Sequence, residues 1–263
     1  MSNAYVQLEL MDLVMGLGMV LIAIILAAVQ KFGALKSLIW GICRAVAQLI
    51  GVGFILTAVF DIQHPALLVF VLSVMMAVAA WTASKRVGNA MPNMLWVSVI
   101  SICTGSSIVL IYALTLTLNV EPWFSPRYLI PLAGIVIAFC MNAVALAGDR
   151  LLGELSNRRL EIESLLSLGA DPRRAAASST KAALHAAWTP LLNHLMVVGI
   201  VQLPGMMTGQ IIAGASPLDA VRYQILIAFM LAAGVAISTA LTVELGFRQA
   251  FNKREQLVLM ESQ

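Results

Sequence analysis

The residues best suited to ligand chemistry in this chain are Met206 and Met207, which directly follow Pro204 and Gly205. Gln202 and Gln210 lie roughly one helical turn away on either side. Thioether sulfurs are soft ligands that suit cuprous ions better than iron, which prefers oxygen or imidazole donors. Packing is the alternative role of such methionines. We therefore treat this pair as candidate metal ligands with packing as the competing interpretation.

The same segment is expected to interrupt a helix. Proline removes a backbone donor and glycine permits unusual dihedral angles. Carbonyl groups freed inside a bilayer are tolerated only where they face a cavity or the protein interior, so such a break is typical of a transport path. Polar or soft side chains in other apolar segments extend the set. The candidate substrate-path residues are Arg44, Gln48, Met141, Asn142, Gln202, Pro204, Gly205, Met206, Met207 and Gln210.

Enzymatic chemistry has little support in the sequence. No lysine follows a glycine, so the phosphate-binding motif G-x-x-x-x-G-K-[ST] is missing. Neither H-E-x-x-H nor G-x-S-x-G occurs. The three cysteines are widely spaced and predict neither a disulfide nor a metal site. We expect a protein that is not an enzyme and binds no cofactor of its own, with any ATP hydrolysis carried out by a partner.

Composition determines which elements must position these residues. Hydrophobic residues make up 60% of the 263 residues and charged residues 11%, and the mean hydropathy is +0.92. That is more apolar surface than one soluble core would bury, so the chain belongs in a lipid bilayer. We predict an all-α polytopic membrane protein forming one domain over residues 1–263. Seven apolar runs are long enough to cross a bilayer: 10–29, 37–60, 65–81, 94–118, 128–148, 187–213 and 221–247.

Basic residues indicate the orientation of these spans. With seven spans, most of the 16 lysines and arginines fall in the loops and tail on a single side. Lysine and arginine near span ends remain in the cytoplasm, which predicts an external N-terminus and a cytoplasmic C-terminus. The modest net charge of +3 is explained by this asymmetry and calls for no nucleic-acid partner.

One charged segment with helical spacing interrupts the apolar runs, within residues 149–186. Leu151, Leu155, Ile162, Leu165, Leu166 and Leu168 form an apolar stripe among charged residues, which predicts an amphipathic helix. Gly169 is a helix-ending residue, and Asp171 with Pro172 supplies an N-cap and a first-turn proline. We predict a cytoplasmic helix-turn-helix, named here the elbow. The alternative is an amphipathic helix lying at the lipid headgroups.

The spacing of Glu163, Gly169 and Ala170 resembles the E-A-A-x-x-x-G loop of ABC importer permeases, although Ser164 and Leu165 replace its alanines. From Arg44 onward the chain resembles the iron-export ABC permeases of the FetB type, whose plant relatives are linked to aluminium tolerance. The matching stretches include Ile130–Gly134, Leu166–Ala170 and, most specifically, LPGMMTGQIIAGASP at 203–217.

This resemblance implies a permease subunit in a bacterial inner membrane, paired with a second copy and with separate ATPase subunits that carry ATP and Mg²⁺. The cargo it implies is iron or another metal ion. The implied ATPase-coupling residues are Glu163, Leu168, Gly169, Ala170, Asp171 and Pro172. One departure bears on the cargo: where the family usually carries Gly-Asn before a methionine, this chain has Ala138–Phe139 and then Cys140–Met141–Asn142.

Two alternatives remain open at this point. A carrier driven by an ion gradient also needs no nucleotide site, but such carriers commonly place ionisable groups near the membrane midplane. Arg44 lies near the start of its span, where its long side chain can extend to the cytoplasm instead of contacting substrate. A structural or regulatory membrane subunit without transport activity is the other alternative.

Overall fold

In the computed structural model, described for residues 9–30, 35–62, 64–87, 93–118, 125–252 and 254–258, the chain is helical. Ten α-helices follow one another: α1 Leu10–Val29, α2 Leu35–Ile62, α3 Pro65–Val87, α4 Met94–Tyr112, α5 Pro126–Asn157, α6 Arg159–Ser167, α7 Pro172–Ala175, α8 Ala177–Val197, α9 Gly205–Ile212 and α10 Pro217–Ala250. A π-helical turn over Ala113–Thr117 extends α4. The predicted all-α class is confirmed.

The chain divides into two compact units. The first unit contains α1 and α2, which contact each other. Most of the large apolar side chains of these two helices are exposed, Met19 by 74% and Phe54 by 76%, for example. Side chains of this kind are stable in lipid and unfavourable in water, so the first unit is built for a membrane.

The second unit holds the bundle that positions the elbow. Here α5 packs against α3, α4, α8 and α10, and α10 also packs against α4, α8 and α9. Small residues permit close approach between these helices. A Cβ built at Gly105 of α4 would overlap the Ser238 hydroxyl of α10, and one at Gly234 would lie 3.1 Å from the Cys140 Sγ of α5. The centre of the unit is therefore packed through glycine contacts.

Six helices in the described ranges are long and apolar enough to cross a bilayer: α1, α2, α3, α4 with its π-turn, α5 and α10. The predicted run 187–213 is not among them, because its helix ends at Val197 and a separate short helix begins at Gly205. Sequence patterns predicted one span over 187–213. In the structure, residues 187–197 belong to α8, which begins ten residues earlier, at Ala177, and includes the more polar segment before the run.

The direction of α8 follows from its contacts. Tyr128 and Tyr223 stack near the starts of α5 and α10, with ring centroids 6.4 Å apart. Arg173, just before α8, reaches Glu244 near the end of α10, and Phe139 of α5 contacts His194 near the end of α8. So α8 runs antiparallel to α5 and α10. Its 21 residues cover about 31 Å at 1.5 Å per residue.

Candidate functional site

The corner of the elbow is a hydrogen-bonded helix terminus. Gly169 adopts a φ of 86°, which costs little only for a residue without a Cβ. Its N–H donates to the carbonyl of Leu166 at 2.9 Å, and the Ala170 N–H donates to the carbonyl of Leu165 at 3.0 Å. This pair of bonds is the Schellman arrangement that ends a helix at a glycine. The predicted corner at Gly169 is confirmed.

The helix after the corner starts as predicted. The Asp171 carboxylate accepts a hydrogen bond of 3.0 Å from the Arg173 backbone N–H, and Pro172 occupies the first turn. Such a cap satisfies one of the backbone donors that a helix start leaves unpaired. The short α7 then leads into α8 with Ala176 between them. The elbow is thus fixed by backbone geometry on both sides of Gly169.

The first arm of the elbow is held by charged side chains. The Arg158 guanidinium donates two hydrogen bonds of 2.8 Å to Glu161 and also binds the Ser178 hydroxyl. Arg159 pairs with Glu163 at 2.8 Å. Ile162, between these pairs, is 1% exposed. Glu163, a predicted coupling residue, therefore already has a partner on its own helix.

Leu168 departs from the predicted stripe. Leu151, Leu155 and Ile162 are buried as expected, but the Leu168 side chain is 85% exposed. The reason is local: Leu168 is the C-cap of α6, and its position no longer follows the helical repeat that buries the others. The stripe interpretation missed this exposed leucine beside the corner.

A groove of about 710 Å³ lies beside the corner, and the C-terminal tail forms its other wall. The elbow contributes Glu163, Leu166, Ser167, Gly169, Ala170 and Asp171, and the tail contributes residues 254–257. Leu257 is 7% exposed and pairs with Phe251 through a β-bridge. The Asn252 carboxamide oxygen accepts from the backbone N–H groups of Arg254 and Gln256 at 2.9 and 3.0 Å. Residues 254–257 are therefore held against this surface by their own hydrogen bonds and by the burial of Leu257.

The predicted helix break is confirmed and lies slightly earlier than expected. After Val197 the chain turns tightly: Gly199 has a φ of 84°, and its N–H donates to the Gln202 carbonyl at 2.9 Å. Pro204 then caps α9, which starts at Gly205. The break is thus made by 198–203, with Pro204–Gly205 beginning the next helix.

The candidate ligands on and just before α9 differ in how far they are buried. Met206 is half-buried and packs against the hydrophobic core. Met207 is half-buried too, and Gln202 is exposed. The Gln210 side-chain oxygen is buried without a hydrogen-bond partner among the described residues. Those residues include no group of three or more histidine, cysteine or acidic side chains able to hold a metal ion. The metal role of the methionine pair stays a prediction.

Four other predicted path residues have different surroundings. Asn142 accepts a hydrogen bond of 3.0 Å from the Arg86 guanidinium of α3, and Met141 packs partly buried against the core. Arg44, like Gln48, is exposed on α2 in the first unit. The Arg86 bond joins residues 56 positions apart, and no local pattern in the sequence indicates it.

The chain is similar to a known protein family over most of its length. Residues 10–251 match the model of UPF0014, described as an uncharacterised protein family. A UPF0014 membrane protein of Synechocystis is 38% identical over 259 residues, covering 98% of this chain and 100% of the relative. The probable iron export permease protein FetB of Escherichia coli is 34% identical over 250 residues, 95% of each chain. Protein ALUMINUM SENSITIVE 3 of Arabidopsis thaliana is 33% identical over 238 residues, 90% of this chain and 86% of the relative.

No solved structure matches this chain. The family match nevertheless spans almost the whole sequence, and six described helices are long and apolar enough to cross a bilayer. This chain therefore belongs to the UPF0014 family of multi-pass membrane proteins.

Proposed function

We propose that this protein is the membrane-spanning permease subunit of an ABC transporter, exporting iron or another metal ion with ATP hydrolysed by a separate subunit. The name of the E. coli relative, a probable iron export permease, supports both the permease role and the cargo. The observation that carries the proposal is the Gly169 corner. It is a rigid turn between two helices that leads directly into α8, the helix that ends at the break.

Charge supports a cytoplasmic elbow. The end of the bundle that bears the elbow carries the basic residues Lys85, Arg86, Arg150, Arg158, Arg159, Arg173, Arg174, Lys181 and Arg248, whereas Arg127 and Arg222 lie at the starts of α5 and α10. Basic residues concentrate on the cytoplasmic side of membrane proteins. The elbow, the groove and the tail then face the compartment that holds ATP. We also propose an external N-terminus, as the seven predicted spans imply, and a location in a bacterial inner membrane, as the resemblance to FetB-type permeases implies.

The surface that would receive the ATPase combines shape and exposed apolar area. The groove beside the corner supplies a concave, mostly polar surface, and Leu168 projects next to it with 85% of its side chain exposed. An exposed leucine at a water-facing end has no lipid to cover it, and a docked protein partner would bury it. We assign this surface, including residues 254–257, to the ATPase subunit.

Force would then pass along a continuous path. Nucleotide binding, with ATP and Mg²⁺ on the partner, closes two ATPase subunits over two copies of this chain and moves both elbows. Arg173 links α7 to α10 through Glu244, and α8 carries the motion to the break at 198–203. Displacing that break and the short α9 switches the side to which the path opens. The Gln210 side-chain oxygen, buried and without a hydrogen-bond partner among the described residues, supports a path along α9.

Reconstitution tests the proposal directly. The full chain, purified with the ATPase that accompanies it from native membranes, is placed in proteoliposomes with iron, copper, zinc or aluminium. We expect one metal to stimulate ATP hydrolysis and to be moved only when ATP is present. Flux driven by a pH gradient without ATP would instead identify a secondary carrier. No energised flux under either condition would leave a structural or regulatory role.

A further inference from the structure

A second groove, separate from the elbow groove, lies between α8 and the C-terminal part of α10. It measures about 330 Å³. Leu184 of α8 and Val243 and Phe247 of α10 form apolar walls, and Arg173, Lys181 and Glu244 also line it. The sequence patterns do not identify this groove, and two of its lining residues, Arg173 and Glu244, also form the ion pair assigned above to the coupling path.

Its charges favour an anion. Lys181 is exposed and makes no hydrogen bond or ion pair with any residue that the structure describes. The Arg173 guanidinium donates through Nη2 to Glu244 at 2.7 Å and stacks 5.6 Å from the Phe247 ring centre. A guanidinium has five N–H donors, so others remain for a ligand. Glu244 also accepts from Arg248 at 2.7 Å. Among the residues that line the groove, one carboxylate, Glu244, therefore stands against two cations, Arg173 and Lys181.

The position of the groove matches the boundary between lipid tails and headgroups. The 34 residues of α10 extend about 51 Å, whereas the hydrocarbon core is roughly 30 Å thick. Its charged C-terminal end, with Glu244 and Arg248, must therefore reach the headgroup layer. Apolar walls next to a cationic rim at that depth reproduce the order of groups in a phospholipid. A soluble phosphate would use the cations and leave the walls uncovered.

We propose that this groove binds an anionic phospholipid, with Lys181 and Arg173 contacting the headgroup phosphate and an acyl chain lying against Leu184, Val243 and Phe247. Basic pockets between helices at the cytoplasmic face are known to suit such headgroups. The site does not depend on the cargo or on the ATPase, and it lies on the two helices that the elbow moves. A bound lipid would therefore contact both α8 and α10 where they pack together.

Binding to the intact, purified chain tests this site. Phosphatidylglycerol is titrated into protein held in phosphatidylcholine nanodiscs, and binding is followed by native mass spectrometry of the released complex. Lys181→Gln should lower the preference for phosphatidylglycerol about fivefold, the effect expected for one basic residue near an anionic lipid surface. Glu244→Gln should raise it by a similar factor. Lys85→Gln, an exposed lysine at the end of α3 outside the groove, is the matched control and should change nothing.

Two results would overturn the assignment. If Lys85→Gln and Lys181→Gln weaken phosphatidylglycerol binding equally, the preference is a general attraction to the basic end of the protein. If millimolar inorganic phosphate displaces phosphatidylglycerol, the site recognises a soluble phosphate and not a lipid. Leu184→Ser separates these further, since it should weaken lipid retention and leave phosphate binding unaltered.

Discussion

Arg173 and Glu244 connect the elbow to the last helix through a 2.7 Å hydrogen-bonded ion pair between residues 71 positions apart. Both side chains are partly exposed, 63% and 34%, so the pair contributes little to global stability, roughly 0.5 kcal/mol. The pair matters more for which helices it connects than for stability. It ties α7, the arm after the corner, to α10, and Glu244 is held in turn by Arg248 one turn along. The pair therefore links the elbow to α10.

Reversing this pair should separate ATP hydrolysis from flux. We expect Arg173→Glu and Glu244→Arg each to lower metal moved per ATP several-fold, because like charges then face each other between α7 and α10. The double reversal should restore most of the loss. Arg174→Glu, an exposed arginine of the same short helix, is the matched control. Flux and phosphate release are measured together in proteoliposomes, and equal damage from Arg174→Glu would contradict a specific role.

Gly169 allows backbone strain to be distinguished from partner docking. A Cβ at this position meets nothing within 4 Å, so Gly169→Ala costs only the left-handed φ, about 1 kcal/mol. Gly169→Trp should have a similar cost and lower the unfolding temperature by as much as Gly169→Ala. It would in addition place a large side chain on the proposed ATPase surface. We expect ATPase co-purification to fall sharply for tryptophan and slightly for alanine.

Gly153→Ala is the control for this series. Its Cβ also meets open space, but Gly153 lies within α5, where alanine is favoured by about 0.5–1 kcal/mol. Stability should rise and co-purification should stay unchanged. Equal loss of the ATPase in the alanine and tryptophan variants of Gly169 would show that the corner geometry matters and that the surface beside it does not dock the partner.

Leu168 should be an anchor for the partner and not for the fold. Because its side chain is 85% exposed, Leu168→Ser is expected to leave the unfolding temperature within about 1 °C, as surface changes usually do. ATPase co-purification should drop at least tenfold. Leu160→Ser, at a leucine 80% exposed in the first turn of α6 and away from the corner, gives the comparison. An unchanged yield of ATPase with Leu168→Ser would remove this residue from the docking surface.

The elbow shows how far sequence alone can predict this structure. Gly169, Asp171 and Pro172 act within a few residues, so their types predict the corner and its cap, and the structure confirms both. The Arg173–Glu244 pair, the Arg86–Asn142 bond and the packing of Leu257 join distant parts of the chain. Such contacts depend on how helices pack, which a local pattern cannot contain.

The sixth apolar run shows the opposite case. Hydropathy joined 187–213 into one span, since apolar residues continue through 198–203. Backbone geometry divides it, because Gly199 takes a positive φ and the Gln202 carbonyl accepts its N–H bond. The sequence correctly indicated a break near Pro204–Gly205. It could not place the turn, because a proline is tolerated at the start of a helix as well as at a break, and Pro204 is the N-cap of α9.

Close packing at Gly105 gives a stability test inside the bundle. An alanine Cβ there would overlap the Ser238 hydroxyl and lie 2.9 Å from the Gly234 carbonyl oxygen, which belongs to the backbone and cannot move aside. Overpacking of this kind costs about 1–3 kcal/mol. Gly105→Ala should therefore lower the unfolding temperature in detergent by several degrees. Adding Ser238→Ala should recover only part of it, and full recovery would show that α4 and α10 are not in tight backbone contact.

A variant of Gln210 can distinguish a role in the substrate path from a role in packing. Its buried side-chain oxygen has no partner among the described residues, and an unsatisfied buried acceptor costs about 1–3 kcal/mol. Gln210→Leu should therefore keep or raise the unfolding temperature, while metal flux per ATP falls at least tenfold if that oxygen contacts the cargo. Met206→Leu, which preserves volume in a side chain that packs against the core, should leave stability unchanged, and its flux reports on thioether ligation. If Gln210→Leu is more stable and transports metal at the normal rate, the path does not pass through α9.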